Sequence, residues 1–103
     1  MSQQTIIIAD DEAFLAQMLS FNIQKGGHEV FIARDGAELC TLAAKKRPDL
    51  IITDYQMPIM NGLTACMQLK RNAATAEIPI LMLTARGHRL SEEELSQTNI
   101  RLM

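Results

Sequence analysis

The sequence has 103 residues, which is enough for one small domain with a modest core. Hydrophobic residues make up 48% and charged residues 21% of it, ordinary values for a soluble globular protein. The net charge of −2 leaves no positive excess for holding phosphate backbones, which argues against direct binding of nucleic acid. The apolar run Ile6 to Ile8 is too short for a signal peptide or a membrane span, so we expect a cytoplasmic protein without membrane contact.

The two cysteines, Cys40 and Cys66, fall inside helical patterns. Two thiols at such positions do not resemble the disulfide framework of a small secreted domain. We therefore expect both side chains to act as small, half-buried hydrophobic groups.

Strand and helix patterns alternate from the start of the chain. Thr5 to Ala9 is a short β-branched run typical of a buried strand, and Asp10-Asp11 follows it directly. From Glu12 to Lys25, apolar residues recur at the spacing of a helix with an apolar stripe: Phe14, Leu15, Met18, Leu19 and Phe21. Gly26-Gly27 predicts the end of that helix.

The middle of the chain repeats this order. His28 to Ala33 predicts a second strand, and Asp35-Gly36-Ala37-Glu38 predicts a helix start with a capping box. We expect this second helix to run to about Lys46, since Pro48 follows. Asp49 to Thr53 predicts a third strand, which leads into Asp54.

Further strand and helix signals follow in the last third. Leu63 to about Arg71 predicts a third helix, and Ile78 to Leu83 predicts a fourth strand. Ser91-Glu92-Glu93-Glu94 is a second capping box and predicts a short fourth helix. Ile100 to Met103 resembles the beginning of a fifth strand. Alternating strands and helices indicate an α/β fold in which right-handed crossovers build a parallel sheet.

Polar residues follow three apolar strands of the predicted sheet. Asp10 and Asp11 follow the first strand, Asp54 the third and Thr84 the fourth. Because the carboxyl ends of parallel strands meet at one edge, we expect these side chains to converge there. Two carboxylates ~4 Å apart repel by about 1 kcal/mol in water and about 4 kcal/mol at an effective dielectric of 20. A hard divalent cation such as Mg²⁺ would relieve that repulsion.

A carboxylate beside Mg²⁺ can act as a nucleophile toward phosphorus, and a hydroxyl such as that of Thr84 can bind a phosphoryl oxygen. Each residue also has a simpler interpretation. An Asp at a strand end is more often a helix cap or turn residue, and Thr often ends a strand through β-propensity alone. The combination favours the chemical interpretation, because every one of these residues falls at the same edge of the sheet.

The sequence resembles the receiver domain of response regulators over essentially its whole length, residues 1–103. Four motifs support the resemblance: Ile6-Ile7-Ile8-Ala9-Asp10-Asp11-Glu12, Pro48-Asp49-Leu50-Ile51-Ile52-Thr53-Asp54, Met57-Pro58-Ile59-Met60-Asn61-Gly62 and Ile78-Pro79-Ile80-Leu81-Met82-Leu83-Thr84-Ala85. The resemblance implies a three-layer α/β/α sandwich around an open parallel sheet of order 2-1-3-4-5, like flavodoxin.

The resemblance also implies roles for individual residues. Asp54 would be the phosphoacceptor. Asp11 and Asp54 would bind Mg²⁺ directly with the backbone carbonyl of Gln56, while Asp10 would act through water. Thr84 would hold the phosphoryl group and serve as the switch hydroxyl.

Further residues of the resemblance concern the surroundings of the site. Pro58 and Gly62 would shape the loop that frames it. In this family, the side chains two residues after the phosphoacceptor and two after the switch Thr tune the loss of the phosphoryl group. These are Gln56 and Arg86, and both could shield the phosphorus from water.

The implied function is phosphorelay signal transduction. The donor would be a sensor histidine kinase or a phosphotransfer protein, and the domain would not be an enzyme, although it takes part in its own phosphorylation and dephosphorylation. Two alternatives stay open. A flavin- or nucleotide-binding module of the same topology would need a Gly- or Ser/Thr-rich loop after the first strand, where this sequence has Asp-Asp-Glu. A degenerate receiver would act as an adaptor without phosphorylation.

One departure from the family concerns the fifth strand, which the family ends with an aromatic residue and then a Lys-Pro pair. This sequence has no Lys after Lys70, and it stops at Met103. We therefore expect an incomplete fifth strand, no fifth helix, and a natural polypeptide that continues past Met103. Crossover handedness predicts the first helix on one face of the sheet and helices two to four on the other. Without a fifth helix, strands four and five would offer an apolar face for a dimer.

Overall fold

The computed structural model describes residues 3–83 and the backbone of residues 100–102. Within these residues, strands and helices alternate as the sequence predicts. The elements are β1 (Thr5–Ala9), α1 (Ala13–Lys25), β2 (Glu29–Ala33), α2 (Gly36–Lys46), β3 (Leu50–Asp54), α3 (Gly62–Arg71), β4 (Ile80–Leu83) and β5 (Ile100–Leu102).

The strands form one parallel sheet in the order β2-β1-β3-β4-β5, which confirms the predicted topology. β1 lies between β2 and β3, so Ile7 pairs with Phe31 on one side and with Ile51 on the other. Strands buried on both faces need apolar residues at successive positions, and Ile6, Ile7 and Ile8 are all buried. The α/β/α architecture is therefore confirmed for the described part of the chain.

Each face of the sheet has its own hydrophobic cluster. The larger cluster lies under α2 and α3 and includes Ile7, Leu39, Ile51, Leu63 and Met82. The smaller cluster lies under α1, where Ala16 packs with Ile6 and Ile8. The described helices thus follow the predicted division, with α1 on one face and α2 and α3 on the other.

The predicted N-cap of α2 is present, but the return bond from Glu38 goes to the residue before the N-cap. The Asp35 carboxylate accepts from the Glu38 N–H at 2.7 Å, and the Glu38 carboxylate accepts from the Arg34 N–H at 2.7 Å. At α3, the Asn61 side chain accepts from the Thr64 N–H at 2.8 Å. Side-chain acceptors therefore satisfy N–H groups at the starts of α2 and α3, both of which begin at the carboxyl edge of the sheet.

The apolar stripe of α1 differs from the expectation of a simple amphipathic helix. Phe14 is 74% exposed and Phe21 is 61% exposed, while the side facing the sheet presents Ala16 and Ser20. Small residues let a helix lie close to a sheet, whereas the larger side chains of α1 point outward. Of the predicted stripe, only Leu19 packs against the smaller core cluster.

Several predicted boundaries shift by one or two residues. α3 begins at Gly62 instead of Leu63, β3 ends at Asp54 instead of Thr53, and β4 begins at Ile80 instead of Ile78. The fourth helix predicted at Ser91–Glu94 lies outside the described residues. Among the described helices, none is both long enough and apolar enough to span a bilayer.

Thr75 is a fully buried polar residue that follows α3. Its hydroxyl donates to the Leu69 carbonyl at 2.6 Å and lies 3.3 Å from the Asn72 carbonyl. The Leu69 carbonyl, in the last turn of α3, also accepts from the Asn72 N–H at 3.3 Å, and the Asn72 carbonyl also accepts from the Thr75 N–H at 2.9 Å. Thr75 therefore fastens the end of α3 before the chain turns into β4.

Replacing Thr75 with Val keeps the shape of the side chain but removes this hydroxyl. We expect Thr75→Val to lower the free energy of unfolding by about 0.5–1.5 kcal/mol, because the buried Leu69 carbonyl loses its short hydrogen bond from the hydroxyl. The matched control is Thr41→Val. Thr41 donates to the Ala37 carbonyl at 3.2 Å on an exposed helix surface, where water can replace it. Urea denaturation gives both values, and equal effects at the two positions would contradict this role of Thr75.

Candidate functional site: an acidic cluster at the carboxyl edge of the sheet

The parallel register of β1 and β3 brings three carboxylates together. Ala9, the last residue of β1, pairs with Thr53 of β3. Asp10 and Asp11 follow Ala9, and Asp54 follows Thr53. The side chains of these three aspartates each offer one oxygen, and the three oxygens lie within 4.8 Å of one another. The predicted convergence of these acids is therefore present.

Asp10 is the buried member of the cluster, with 5% of its surface exposed. Its backbone N–H donates to the Ala33 carbonyl at 3.0 Å, which continues the β1–β2 pairing by one residue. Its Oδ1 accepts from the Glu12 N–H at 2.9 Å. Asp10 therefore shapes the turn into α1, and that turn presents the exposed Asp11 to the solvent side of the site.

Asp54 is the half-buried member, at the end of β3. Its Oδ1 accepts from the Tyr55 N–H at 2.7 Å, which fixes the orientation of the carboxylate. The buried Thr53 hydroxyl donates to the Asp54 backbone carbonyl at 2.9 Å. Both hydrogen bonds therefore hold the peptide group between Asp54 and Tyr55 in place.

A hard cation suits this arrangement of donors. Carboxylate oxygens are the protein ligands that Mg²⁺ prefers, and Mg²⁺ usually keeps several waters beside one or two carboxylates. Three carboxylate oxygens within 4.8 Å fit that requirement, and they repel one another in the absence of positive charge. The residues present therefore fit the predicted metal.

An open cavity of about 540 Å³ extends outward from the acids. It is lined by Asp11, Glu12, Asp54, Gln56, Met57 and Pro58. The β1–α1 turn forms one wall and the β3–α3 loop forms the other, so a small anion or a protruding side chain could reach the carboxylates from solvent. Gln56, whose backbone carbonyl is predicted to bind the metal, lies on the wall formed by the β3–α3 loop and is exposed to solvent.

The β3–α3 loop contains an unusual backbone turn. Ile59 has φ of 70°, and the Met60 N–H donates to the Pro58 carbonyl at 2.7 Å. This is a γ-turn centred on a β-branched residue, a conformation that L-residues other than Gly adopt at a cost. Ile59 is also 84% exposed, so no packing offsets that cost. The sequence did not reveal this residue, because its pattern resembles an ordinary loop.

Two glycines allow backbone segments around the site to approach closely. A Cβ at Gly62 would collide with the Asp54 backbone carbonyl, while the Gly62 N–H donates to the Tyr55 carbonyl at 2.7 Å. A Cβ at Gly36 would collide with the Met60 carbonyl, which accepts from the Gly36 N–H at 2.9 Å. Gly62 thus shapes the loop as predicted. Gly36 was missed, and its only signal was a Gly at the first position of α2.

The other predicted site residues, Thr84 and Arg86, lie outside the described residues. The thiols lie between α2 and α3, away from the acids. Cys66 is fully buried, and burial, together with the nearby Cys40 thiol, raises the pKa of Cys66 to about 12. Burial also raises the pKa of Cys40, whose Sγ lies 3.6 Å from the Ala65 carbonyl. Both thiols therefore stay protonated at neutral pH and pack as small apolar groups.

Comparison with known proteins identifies the family. The response regulator receiver domain matches residues 6–101 of the sequence. The chain belongs to this family. The domain is a receiver of the kind found in two-component response regulators.

Curated relatives include the DNA-binding dual master transcriptional regulator RpaA of Synechocystis, 42% identical over 80% of this chain and 34% of that protein. The phosphate regulon transcriptional regulatory protein PhoB of Pseudomonas aeruginosa is 36% identical over 82% of this chain and 37% of that protein. The chain thus spans about a third of the length of these curated relatives.

Solved structures agree with the fold. The chemotaxis response regulator CheY4 of Vibrio cholerae is 31% identical, with a TM-score of 0.86 over 98% of this chain and 84% of that one. The receiver domain of the sensor histidine kinase PA1611 of Pseudomonas aeruginosa is 22% identical, with a TM-score of 0.84 over 98% of this chain and 83% of that one. The second likeness supports the fold alone.

The strained turn at Ile59 gives a test of the loop geometry. We expect Ile59→Gly to raise the free energy of unfolding by about 0.5–1 kcal/mol, because Gly adopts positive φ without a steric cost of about 1–2 kcal/mol. The larger flexibility of Gly in the unfolded chain offsets part of that gain. Ile59→Val is the control, since it keeps the β-branch and should change stability by less than about 0.5 kcal/mol. Urea denaturation measures both, and a destabilised Gly variant would contradict the strained turn.

Proposed function

We propose that this receiver domain accepts a phosphoryl group on the carboxylate of Asp54 in a Mg²⁺-dependent reaction of a phosphorelay. The observation that supports this most directly is the cluster of three carboxylate oxygens within 4.8 Å at the floor of an open cavity. Membership of the receiver family supplies the second reason. A donor can approach from solvent, and the half-buried Asp54 is held in one orientation by the Tyr55 N–H.

The transfer conserves atoms and charge in a simple way. A carboxylate oxygen of Asp54 attacks the phosphorus of a phosphohistidine, and a new O–P bond forms as the N–P bond of the donor breaks. The departing imidazole nitrogen keeps the electron pair of that bond and takes up a proton. The product is an acyl phosphate on Asp54, so this protein is substrate and participant in the transfer without being an enzyme.

The acids around Asp54 have separate duties in this proposal. Asp11 and Asp54 would hold Mg²⁺ directly, together with the Gln56 carbonyl, and Asp10 would do so through water. When bound, the metal offsets negative charge on the phosphoryl oxygens. Two observations support the assignment. The donors are oxygens of the kind that Mg²⁺ prefers, and the PA1611 receiver, of the same fold, has a magnesium ion coordinated in its active-site cleft.

Thr84 is the proposed switch hydroxyl, which would bind a phosphoryl oxygen. Sequence continuity supports this role, because Thr84 directly follows Leu83, and Leu83 pairs with Asp54 in the β3–β4 register. Gln56 and Arg86 would tune the lifetime of the phosphoryl group by shielding it from water. Gln56 lines the wall of the cavity, which is the position that this duty needs.

The donor would be a sensor histidine kinase or a phosphotransfer protein in the cytoplasm. The domain itself would not contact nucleic acid or membrane, since its net charge is −2. RpaA and PhoB are named as transcriptional regulators, and this chain covers about a third of each. Phosphorylation at Asp54 would then control whatever output the domain is joined to or binds.

Acetyl phosphate tests the proposal without a cognate kinase. With Mg²⁺, the protein should gain one phosphoryl group by intact mass, and base should remove it, because acyl phosphates hydrolyse readily. Asp54→Asn should abolish the gain. Asp35→Asn is the matched control: it removes a carboxylate outside the triad, and Asn caps a helix about as well as Asp, so α2 should persist.

Two outcomes would contradict the proposal. Equal labelling of the wild type and Asp54→Asn would move the phosphoacceptor elsewhere. Absence of labelling in the wild type with both acetyl phosphate and a histidine-phosphorylated donor would favour the alternative function, an adaptor that acts without phosphorylation.

A further inference from the structure

A second cavity lies beside the acidic cluster, on the face of the sheet that α1 covers. It has a volume of about 110 Å³ and is lined by Asp10, Ala13, Ala16, Gln17, Ile32 and Arg34. One water needs only about 10–15 Å³ of such space, so the cavity has room for a group of several heavy atoms. The space exists because α1 presents two small alanine side chains to the sheet at this point.

Asp10 and Arg34 are neighbours at the ends of the two strands that lead to this cavity. Ala9 pairs with Ala33 in the β1–β2 register, and the Asp10 N–H continues the pairing by donating to the Ala33 carbonyl at 3.0 Å. Adjacent strands lie about 4.8 Å apart, and side chains alternate between the two faces along each strand. Ile32 packs under α1, so Arg34, two residues later, lies on the same face. Asp10 and Arg34 therefore line one cavity from neighbouring strands.

The Asp10 carboxylate has capacity for a further partner. It is 5% exposed, and within residues 3–83 it accepts a hydrogen bond only from the Glu12 N–H, at 2.9 Å. A carboxylate can accept about four hydrogen bonds, and a buried one without nearby positive charge is costly. Asp11 and Glu12 line the larger acidic cavity and not this one. A cation in the smaller cavity would therefore act on Asp10 first.

Arg34 is a cation without an ionic partner beside that carboxylate. The residue is exposed, and its guanidinium forms no ion pair with residues 3–83. The two acids that follow it in sequence are engaged at the start of α2. Glu38 accepts from the Arg34 N–H at 2.7 Å, and Asp35 accepts from the Glu38 N–H at 2.7 Å. Since α2 covers the other face of the sheet, Asp10 is the buried carboxylate on the side that Arg34 lines.

We propose that Arg34 is the internal counter-ion of the acidic cluster. While no metal is bound, its guanidinium turns into the smaller cavity and pairs with the Asp10 carboxylate, which relieves the repulsion among the three acids. Mg²⁺ then binds against this positive charge, so Arg34 lowers the affinity of the cluster for the metal. The effect on Mg²⁺ rests on the proposed function, whereas the pairing of Arg34 with Asp10 does not. Arg34 is thus a positioning residue that acts through Asp10.

A double-mutant cycle in EDTA measures the pairing without metal. In urea denaturation, compared at one urea concentration within the transition, Arg34→Gln should raise the unfolding equilibrium constant at least about threefold, because an ion pair with one buried partner is lost. In the Asp10→Asn background, the same substitution should change the constant less than about 1.5-fold. Arg71→Gln is the matched control. It removes the same charge at the exposed end of α3 and should have the same effect in both backgrounds.

A Mg²⁺ titration in low-salt buffer measures the effect on the metal. Tyr55 is the only tyrosine of a sequence without tryptophan, and its N–H donates to Asp54, so its fluorescence reports on the site. Arg34→Gln should lower the Mg²⁺ dissociation constant about fivefold, as expected for a divalent and a monovalent cation ~8 Å apart in water. Arg34→Lys retains the charge and should stay within about twofold of the wild type. Arg71→Gln should leave the constant unchanged.

Two results would overturn the inference. One is additivity of Arg34→Gln and Asp10→Asn in EDTA. The other is a Mg²⁺ dissociation constant that Arg34→Gln leaves unchanged or that Arg71→Gln lowers equally. A wild type that binds no Mg²⁺ would instead contradict the proposed metal site. The cycle in EDTA then decides on the counter-ion alone, with coupling in its favour and additivity against it. Circular dichroism of each variant verifies that its fold is retained.

Discussion

Electrostatic repulsion among three carboxylates at one edge of the sheet is the constraint on which the rest of the structure depends. Ala9 pairs with Thr53 in the sheet, and the acids directly follow these two residues in the sequence, so the register fixes where the acids lie. Asp10, Asp11 and Asp54 must therefore meet whenever the sheet forms. Their proximity costs on the order of 1–4 kcal/mol per pair, depending on the local dielectric. A bound cation would relieve this repulsion, so the repulsion adds to the affinity of the cluster for positive charge.

The surrounding structure holds the carboxylates against this repulsion. The central strand is buried on both faces, and the main chain near the site is fixed by hydrogen bonds and close packing. The Thr53 hydroxyl and Gly62 both contact the Asp54 carbonyl. Gly36 has no side chain, which lets the β3–α3 loop lie close to the start of α2. Charge repulsion at the edge is therefore offset by packing elsewhere. In the proposed function, phosphorylation of Asp54 would change this balance between charge repulsion and packing.

Much of the fold and most of the described site could be predicted from sequence, because strong local patterns agreed with one another. The β-branched runs before Asp10 and Asp54 and the box from Asp35 to Glu38 each have one straightforward structural solution. Which side of α1 faces the sheet was harder to predict. Periodicity identifies a helix, but small residues rather than large ones face the sheet here. The γ-turn at Ile59 left no signal, since its conformation depends on how the loop closes against α2.

The direct test of the central claim is the stability of the wild type and Asp54→Asn, measured by urea denaturation with EDTA and with saturating Mg²⁺. In EDTA, loss of the Asp54 charge removes two repulsive pairs and should make the variant more stable by about 2 kcal/mol, at about 1 kcal/mol per pair near the solvent. With Mg²⁺ in ~100-fold excess over its dissociation constant, the wild type should gain about 2.7 kcal/mol and the variant much less, so the order reverses. Asp35→Asn should follow the wild type in both conditions. A wild type that is indifferent to Mg²⁺, or equal gains for wild type and Asp54→Asn, would contradict the account.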